Sequence, residues 1–307
     1  MLQKNKKEIM NAITKFSTLF VCMLCTIFCT AQTDQGIKSK SYLDLSWRQV
    51  ATKMPVAWYG SDEAKLVAEN VLIAQKEIGG WAKNLPYHHI LSDSAKAAFI
   101  HDKSKAGATF DNGATTTELK FLASVYAQIH DTRYKQAFDK GVNYIFIAQY
   151  KNGGWPQFFP VKDSAEEKLL DHIAPYSMHI TYNDDAMVNT MQFLEDIFSD
   201  NEAYTSMQIT KEVKTKAKKA FDTGIECFLK TQIIVNNKPT VWCAQHNEIT
   251  FAPAKARAYE LPSFSGYESV GIVMMLMELN NPSKEIIASV NGAIDWFENH
   301  KIEGIKI

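Results

Sequence analysis

The sequence predicts an all-α-dominated fold, an α/α toroid of repeated helix pairs with short loops or small strands around a cleft. Three observations carry that expectation. Beyond residue 31, apolar residues recur with the helical period, and strand-like alternation is scarce. The 9 Pro and 14 Gly of the 307 residues sit mostly between the periodic segments, where chain breakers belong. One helix-plus-loop signature recurs, and a second set of helices lies between its copies. The repeating unit is therefore a helix pair that buries its apolar stripe against its neighbours.

The N-terminus stands apart. MLQKNKKEIMNAITK is basic, FSTLFVCMLCTIFC (16–29) is an apolar run of 14 residues, and CTAQ offers small residues for cleavage near Ala31. The run is short for a bilayer span. Residues 1–31 are thus expected to be a secretory signal peptide rather than a membrane anchor, and residues 32–307 the mature domain, secreted or periplasmic. Lipid attachment at Cys29 stays open. The segment holds Lys4, Lys6, Lys7 and Lys15 against Glu8, a charge of +3, so the chain's −1 leaves about −4 for the rest. That balance excludes bulk attraction to nucleic acid. A monomer without stable membrane insertion is expected. Cys22, Cys25 and Cys29 leave with the signal. Cys227 and Cys243 allow at most one disulfide, and the sequence leaves its formation open.

The first set of helices comes next. AENVLIAQKEIGGWAKN (68–84), GVNYIFIAQYKNGGWPQF (141–158) and GIECFLKTQIIVNNKPTVWCAQH (224–246) each read as an apolar helix ending near a Gln, then a loop, then a Trp. The steps from Gln75 to Gln149 and on to Gln232 are 74 and 83 residues. A fourth copy, GAIDWFENH (292–300), has the helix alone. The second set starts near 115, 182 and 265. Thr115 with Glu118 and Ser265 with Glu268 fit capping boxes, and Asn183 can cap the middle helix. The loops follow first helices and the acidic runs precede second helices, so both can share one face of the ring.

Three segments on that face carry candidate chemistry. TFDNGATTTE (109–118) places Asp111 and Asn112 before a helix, as an Asx turn or as hard-cation ligands. In TYNDDAM (181–187), Asp184 and Asp185 are adjacent. One acid suits a helix start, but two neighbours repel unless a cation or a proton intervenes. A calcium site shared by Asp111, Asn112, Asp184 and Asp185 follows. PAKARAYELPSFSG (253–266) puts Lys255 and Arg257 where the first two units have acids, which suits an anionic substrate. Trp155, Trp242, Tyr182 and His246 are candidates for sugar contact. For the tryptophans, packing between helices is the competing reading.

Together, TFDNGATTTELKFLASVY, NGGWPQFFP, HITYNDDAM, WCAQH and ARAYELPSFSG resemble the pectate lyases of polysaccharide lyase family ten, over about Trp47 to at least Asn280. The resemblance implies an (α/α)3 toroid with a smaller additional domain. It implies β-elimination in polygalacturonate, with calcium at the centre. Asp111, Asn112 and Asp184 match the family's centre, and Arg257 falls on its catalytic base. Asp185 is left as a ligand or a helix cap. The family carries basic and aromatic residues further on, so this chain is expected to be shortened at its C-terminus. Two other functions stay in play. One is an inverting glycoside hydrolase using Asp111 with Asp184 or Asp185 and no metal. The other is a pectin-binding protein without turnover.

Overall fold

The computed structural model describes residues 41–161 and 176–304; the expected signal peptide, with Cys29 and Ala31, lies outside the described residues. The described chain is mostly helical, an α/α toroid of repeated helix pairs. Its helices are α1 (Trp47–Lys53), α2 (Asp62–Ala74), α3 (Asp93–His101), α4 (Thr116–Ile129) and α5 (Thr132–Ala148). They continue with α6 (Ala186–Phe198), α7 (Lys211–Thr231), α8 (Gly266–Glu278) and α9 (Lys284–His300). Along the sequence the repeat units are α2 with α4, α5 with α6 and α7 with α8, and α9 is the first helix of a fourth; the consecutive helices α4/α5, α6/α7 and α8/α9 pack against one another. Neighbours pack within each layer, α2 on α5 on α7 on α9 and α4 on α6 on α8. The short α1 packs against α4. No helix among the described residues is long and apolar enough to cross a membrane.

The amphipathic pattern produces these layers. In α7 the buried residues Ala217, Ala220, Phe221, Gly224, Ile225, Cys227, Phe228 and Thr231 fall on one stripe, while lysines fill the other face. The helix starts at Thr210, whose hydroxyl accepts from the Val213 N–H, and ends at Gln232.

That Gln belongs to a repeated device. Gln75 Nε2 donates to Gly79 O and to Ala137 O in α5, both at 2.8 Å. Gln149 Nε2 donates to Gly153 O and to Ala220 O in α7. Gln232 Nε2 donates to Thr240 O and to Ser289 O in α9. Each Gln therefore closes its own loop and ties its helix to the next one in the layer. The three Trp residues complete the unit. Trp81, Trp155 and Trp242 are fully buried, and their indole N–H groups donate to Val71 O, Ile145 O and Phe228 O. In each unit the Trp carbonyl then accepts from the N–H that leads into the second helix, Thr109, Thr181 or Ser265.

On the loop face, short extended pieces pair in sequence. Thr109 bridges Phe158, Pro156 bridges Ile180, β1 (Ile180–Thr181) pairs antiparallel with β4 (Gln245–His246), and His246 bridges Pro253. These small strands fix the loops of all three units to one another. A separate hairpin, β2 (Ile234–Val235) with β3 (Lys238–Pro239), shapes the third loop.

Several expectations need correction. Thr115 does not form a capping box. Its backbone is left-handed, and its hydroxyl bonds Thr109 O and the Trp81 N–H instead. Glu118 is buried and accepts from Trp47 Nε1 at 2.7 Å. At α8, Ser265 bonds the Glu268 carboxylate and makes no cap to the backbone. Asn183 opens a 3-10 turn, and Asp185, not Asn183, precedes α6. Cys227 and Cys243 are buried free thiols.

Candidate active site

The two acidic runs fold into the same turn. Phe110 (φ −103, ψ −9) and Tyr182 (φ −102, ψ −14) enter it, and Asn112 (φ 53, ψ 28) and Asp184 (φ 51, ψ 35) form its left-handed step. Gly113 and Asp185 follow, also at positive φ. Asp111 thus corresponds to Asn183, and Asn112 to Asp184. Asn and Asp tolerate this conformation better than most residues. Strain of this kind, held at two places on one face, marks a built site.

The turns meet. Asp184 lies within hydrogen-bonding range of Asp111, although the two occupy different positions in their turns. Partial burial raises the Asp184 carboxyl above its usual range, with the negative charges of Asp111 and Glu268 adding to the effect and Lys83 opposing it. Asp111 is 1% exposed. Its Oδ2 accepts from Lys83 Nζ and, at 2.8 Å, from Gln157 Nε2. Its Oδ1 is buried and receives no donor among the described residues. Asp185 is also raised by burial, eased by a hydrogen bond from the exposed Tyr267 and by Arg48. Its Oδ1 lies against Gly271 of α8, where a Cβ would come within 2.7 Å.

This arrangement fits a hard cation. The donors are oxygens, two carboxylates are pressed together, and one buried carboxylate oxygen lacks a donor. Among the described residues no three Asp, Glu, His or Cys side chains converge on one point. Asp111 and Asp184 would be the protein's charged ligands, with Asn112 beside them. Further oxygens of a calcium shell would come from substrate and water.

The basic arm borders this site. Arg257 donates to the Glu260 carboxylate through Nε at 2.9 Å and through Nη2. Glu260 is held below its usual range chiefly by that contact, and Lys83 contributes as well. Lys83 therefore connects the Arg257 loop to Asp111. Lys255 is exposed on the same loop.

Four expected substrate contacts are not available as such. Trp155, Trp242, Tyr182 and His246 are each 0% exposed, so none presents a face to a sugar. The Tyr182 hydroxyl bonds Thr231 Oγ1 at 2.6 Å. His246 Nε2 accepts from the Cys243 N–H, which leaves Nδ1 to donate to Phe251 O. These residues hold the loops instead. Sequence reading missed Lys83, Gln157, Tyr267 and Glu268. Lys83 follows the first repeated Trp by two residues and Gln157 the second, so the repeat itself carried that signal.

Comparison with known proteins agrees with this layout. The family model for pectic acid lyase matches residues 75–307. In structure, the chain is similar to the family 10 polysaccharide lyase from Cellvibrio cellulosa, with a TM-score of 0.65 and 35% identity. The match covers 80% of this chain and 71% of that one. An Asp-to-Ala mutant of that lyase, in complex with trigalacturonic acid, matches with the same values. No curated protein sequence matches. The chain belongs to the pectic acid lyase family. Its enzymatic class is that of a pectate lyase.

Proposed function

We propose that this chain cleaves polygalacturonate by calcium-assisted β-elimination, releasing 4,5-unsaturated oligogalacturonides, and that it acts as a secreted or periplasmic monomer. The observation that supports this most is the meeting of Asp111 and Asp184 beside a basic arm. Two crowded carboxylates suit a cation, and the lysines and arginine suit a polyanion. The related lyase bound to trigalacturonic acid points to the same substrate.

When bound, calcium draws charge from the C6 carboxylate of the reacting uronate and so acidifies C5. Asp111 and Asp184 would hold that ion, and Lys83 and Lys255 offset the charge that develops on the uronate carboxylate. Arg257 removes the C5 proton. The C5–H electron pair forms the C4–C5 double bond, and O4 departs with the leaving chain. An arginine in an ion pair is a cation and must be neutral to accept a proton. In that role it gives up the Glu260 contact, which holds it charged, and releases one proton to solvent before it takes the C5 proton.

That same ion pair favours a second reading, in which Arg257 stays charged and clamps the substrate carboxylate. Arg257→Lys separates the two. As base, Arg257 is not replaced by Lys, and product absorbance falls about 100-fold or more. A variant that keeps most of the rate would make Arg257 a clamp. Inverting hydrolysis fits less well, because it needs carboxyl groups about 6.5–9.5 Å apart, with a water between them. Asp111 and Asp184 are within hydrogen-bonding range. Reducing ends without unsaturated product would restore that alternative.

A further inference from the structure

A second recess adjoins the proposed centre at the Asn112 turn. It is a cavity of about 480 Å3 between the start of α1 and the Asn112 turn, and its wall includes Trp47, Arg48, Asn84 and Asn112. The two asparagines join across it, Asn112 Nδ2 donating to Asn84 Oδ1 at 2.9 Å. The cavity floor is rigid. Trp47 bonds the buried Glu118 and packs edge-on against Tyr87 and Phe121, with ring centroids 5.2 Å away in each case. The capping box of Ser46 and Gln49 fixes the first turn of α1, which carries Arg48. None of residues 41–60 falls within the span matched by the family model, which begins at 75.

Arg48 is exposed, and its guanidinium makes no ion pair among the described residues. It is near enough to Asp185 to favour that carboxylate's charged form. One arginine therefore faces both the recess and the acidic turn of α6. Asp44 lines the recess as well and opposes an anion there. The neighbouring Glu118 is pushed up to about 7 by its burial, so it carries little charge in mildly acid solution.

We propose that this recess is an added subsite for a galacturonate unit of the bound chain, with Arg48 taking its carboxylate. The proposal rests on the polygalacturonate reading above. A chain lying across Asp111 and Asp184 continues past Asn112 into the recess. There a guanidinium binds a carboxylate through paired hydrogen bonds, and the Asn84–Asn112 pair offers partners to ring hydroxyls. The subsite sets how much a longer substrate gains over a short one. It deepens specificity for chain length and takes no part in proton transfer.

The test is calorimetric binding of trigalacturonate and hexagalacturonate to the full chain with and without Arg48→Gln, each also carrying Arg257→Ala so that the oligomers are not cleaved, with calcium present and melting temperatures recorded. With Arg48 in place the hexamer should bind more tightly than the trimer. In Arg48→Gln that gain should shrink about ten-fold, with an unchanged melting temperature, and Arg48→Lys should recover part of it. Equal loss for both oligomers, or no loss, would overturn the subsite while leaving the lyase reading intact. Absence of any oligogalacturonate binding with Arg48 in place would instead overturn both.

Discussion

Asp184 shows how a single residue acquires its properties here. It stands at a left-handed step beside a second acid and faces Asp111 from the neighbouring unit. Asp184→Asn keeps the shape and removes a charge. Calcium affinity measured by titration should fall about 10-fold or more, and kcat/KM at limiting calcium with it. Gly271→Ala tests Asp185 indirectly, since the new methyl would press on Asp185 Oδ1. Activity should drop while the fold survives, because the carboxylate must shift and α8 need not. Asp111, Asn112 and Asp184 were legible in the sequence because short polar runs before helices are conspicuous. Lys83, Gln157 and Glu268 were not singled out, because a Lys or Gln two residues after a loop Trp and a Glu in a helix's first turn look ordinary until the fold turns them towards Asp111 and Asp184. The misassigned aromatics have an equally physical cause. A Trp in a loop looks the same whether it faces sugar or plugs the gap between helices, and Trp155 and Trp242 do the second.

At the scale of the element, each repeated Gln ties its helix to the next first helix, and each repeated Trp ties its loop to its own helix. The two N–H groups of Gln149 Nε2 reach three acceptors, Gly153 O, Ala220 O and Thr223 Oγ1. Its truncation to Ala takes a donor from Gly153 O and cuts the tie to Ala220 O, and should cost about 1–3 kcal/mol in denaturant unfolding. Gly153 is less forgiving. Its φ is +94, and any Cβ would overlap the Thr223 carbonyl, so Gly153→Ala should unfold or displace the loop. The helix pairs and their loops were readable from periodicity and from the Gln–Trp spacing. The caps were not. A capping box presumes an ordinary helix start, whereas α4 and α6 begin from left-handed turns that aim side chains at the site.

On the scale of the whole molecule, two buried groups set opposing pH dependences. Burial lowers His246 to about 4, so its stabilising effect is complete above its unfolded value of 6.5 and is lost as pH falls towards 4. Burial raises Glu118 to about 7, so its contribution is complete below 4.5 and is lost as pH rises towards 7. Between 4.5 and 6.5 the two slopes oppose. Glu118→Gln keeps an acceptor for Trp47 and removes one slope. Stability of that variant should then rise with pH across the window, by about 3 kcal/mol at most. A flat curve in the variant would mean that His246 does not stay neutral. The ring itself was legible as a repeat, and the small strands that join the loops were expected only in outline. The central claim is that the crowded carboxylates serve a calcium-assisted elimination. Its most direct test follows the ultraviolet absorbance of unsaturated product from polygalacturonate, with calcium and then with excess chelator. The account predicts a steady rise that the chelator stops and added calcium restores. Equal rates with and without chelator, or reducing ends with no rise in absorbance, would contradict it.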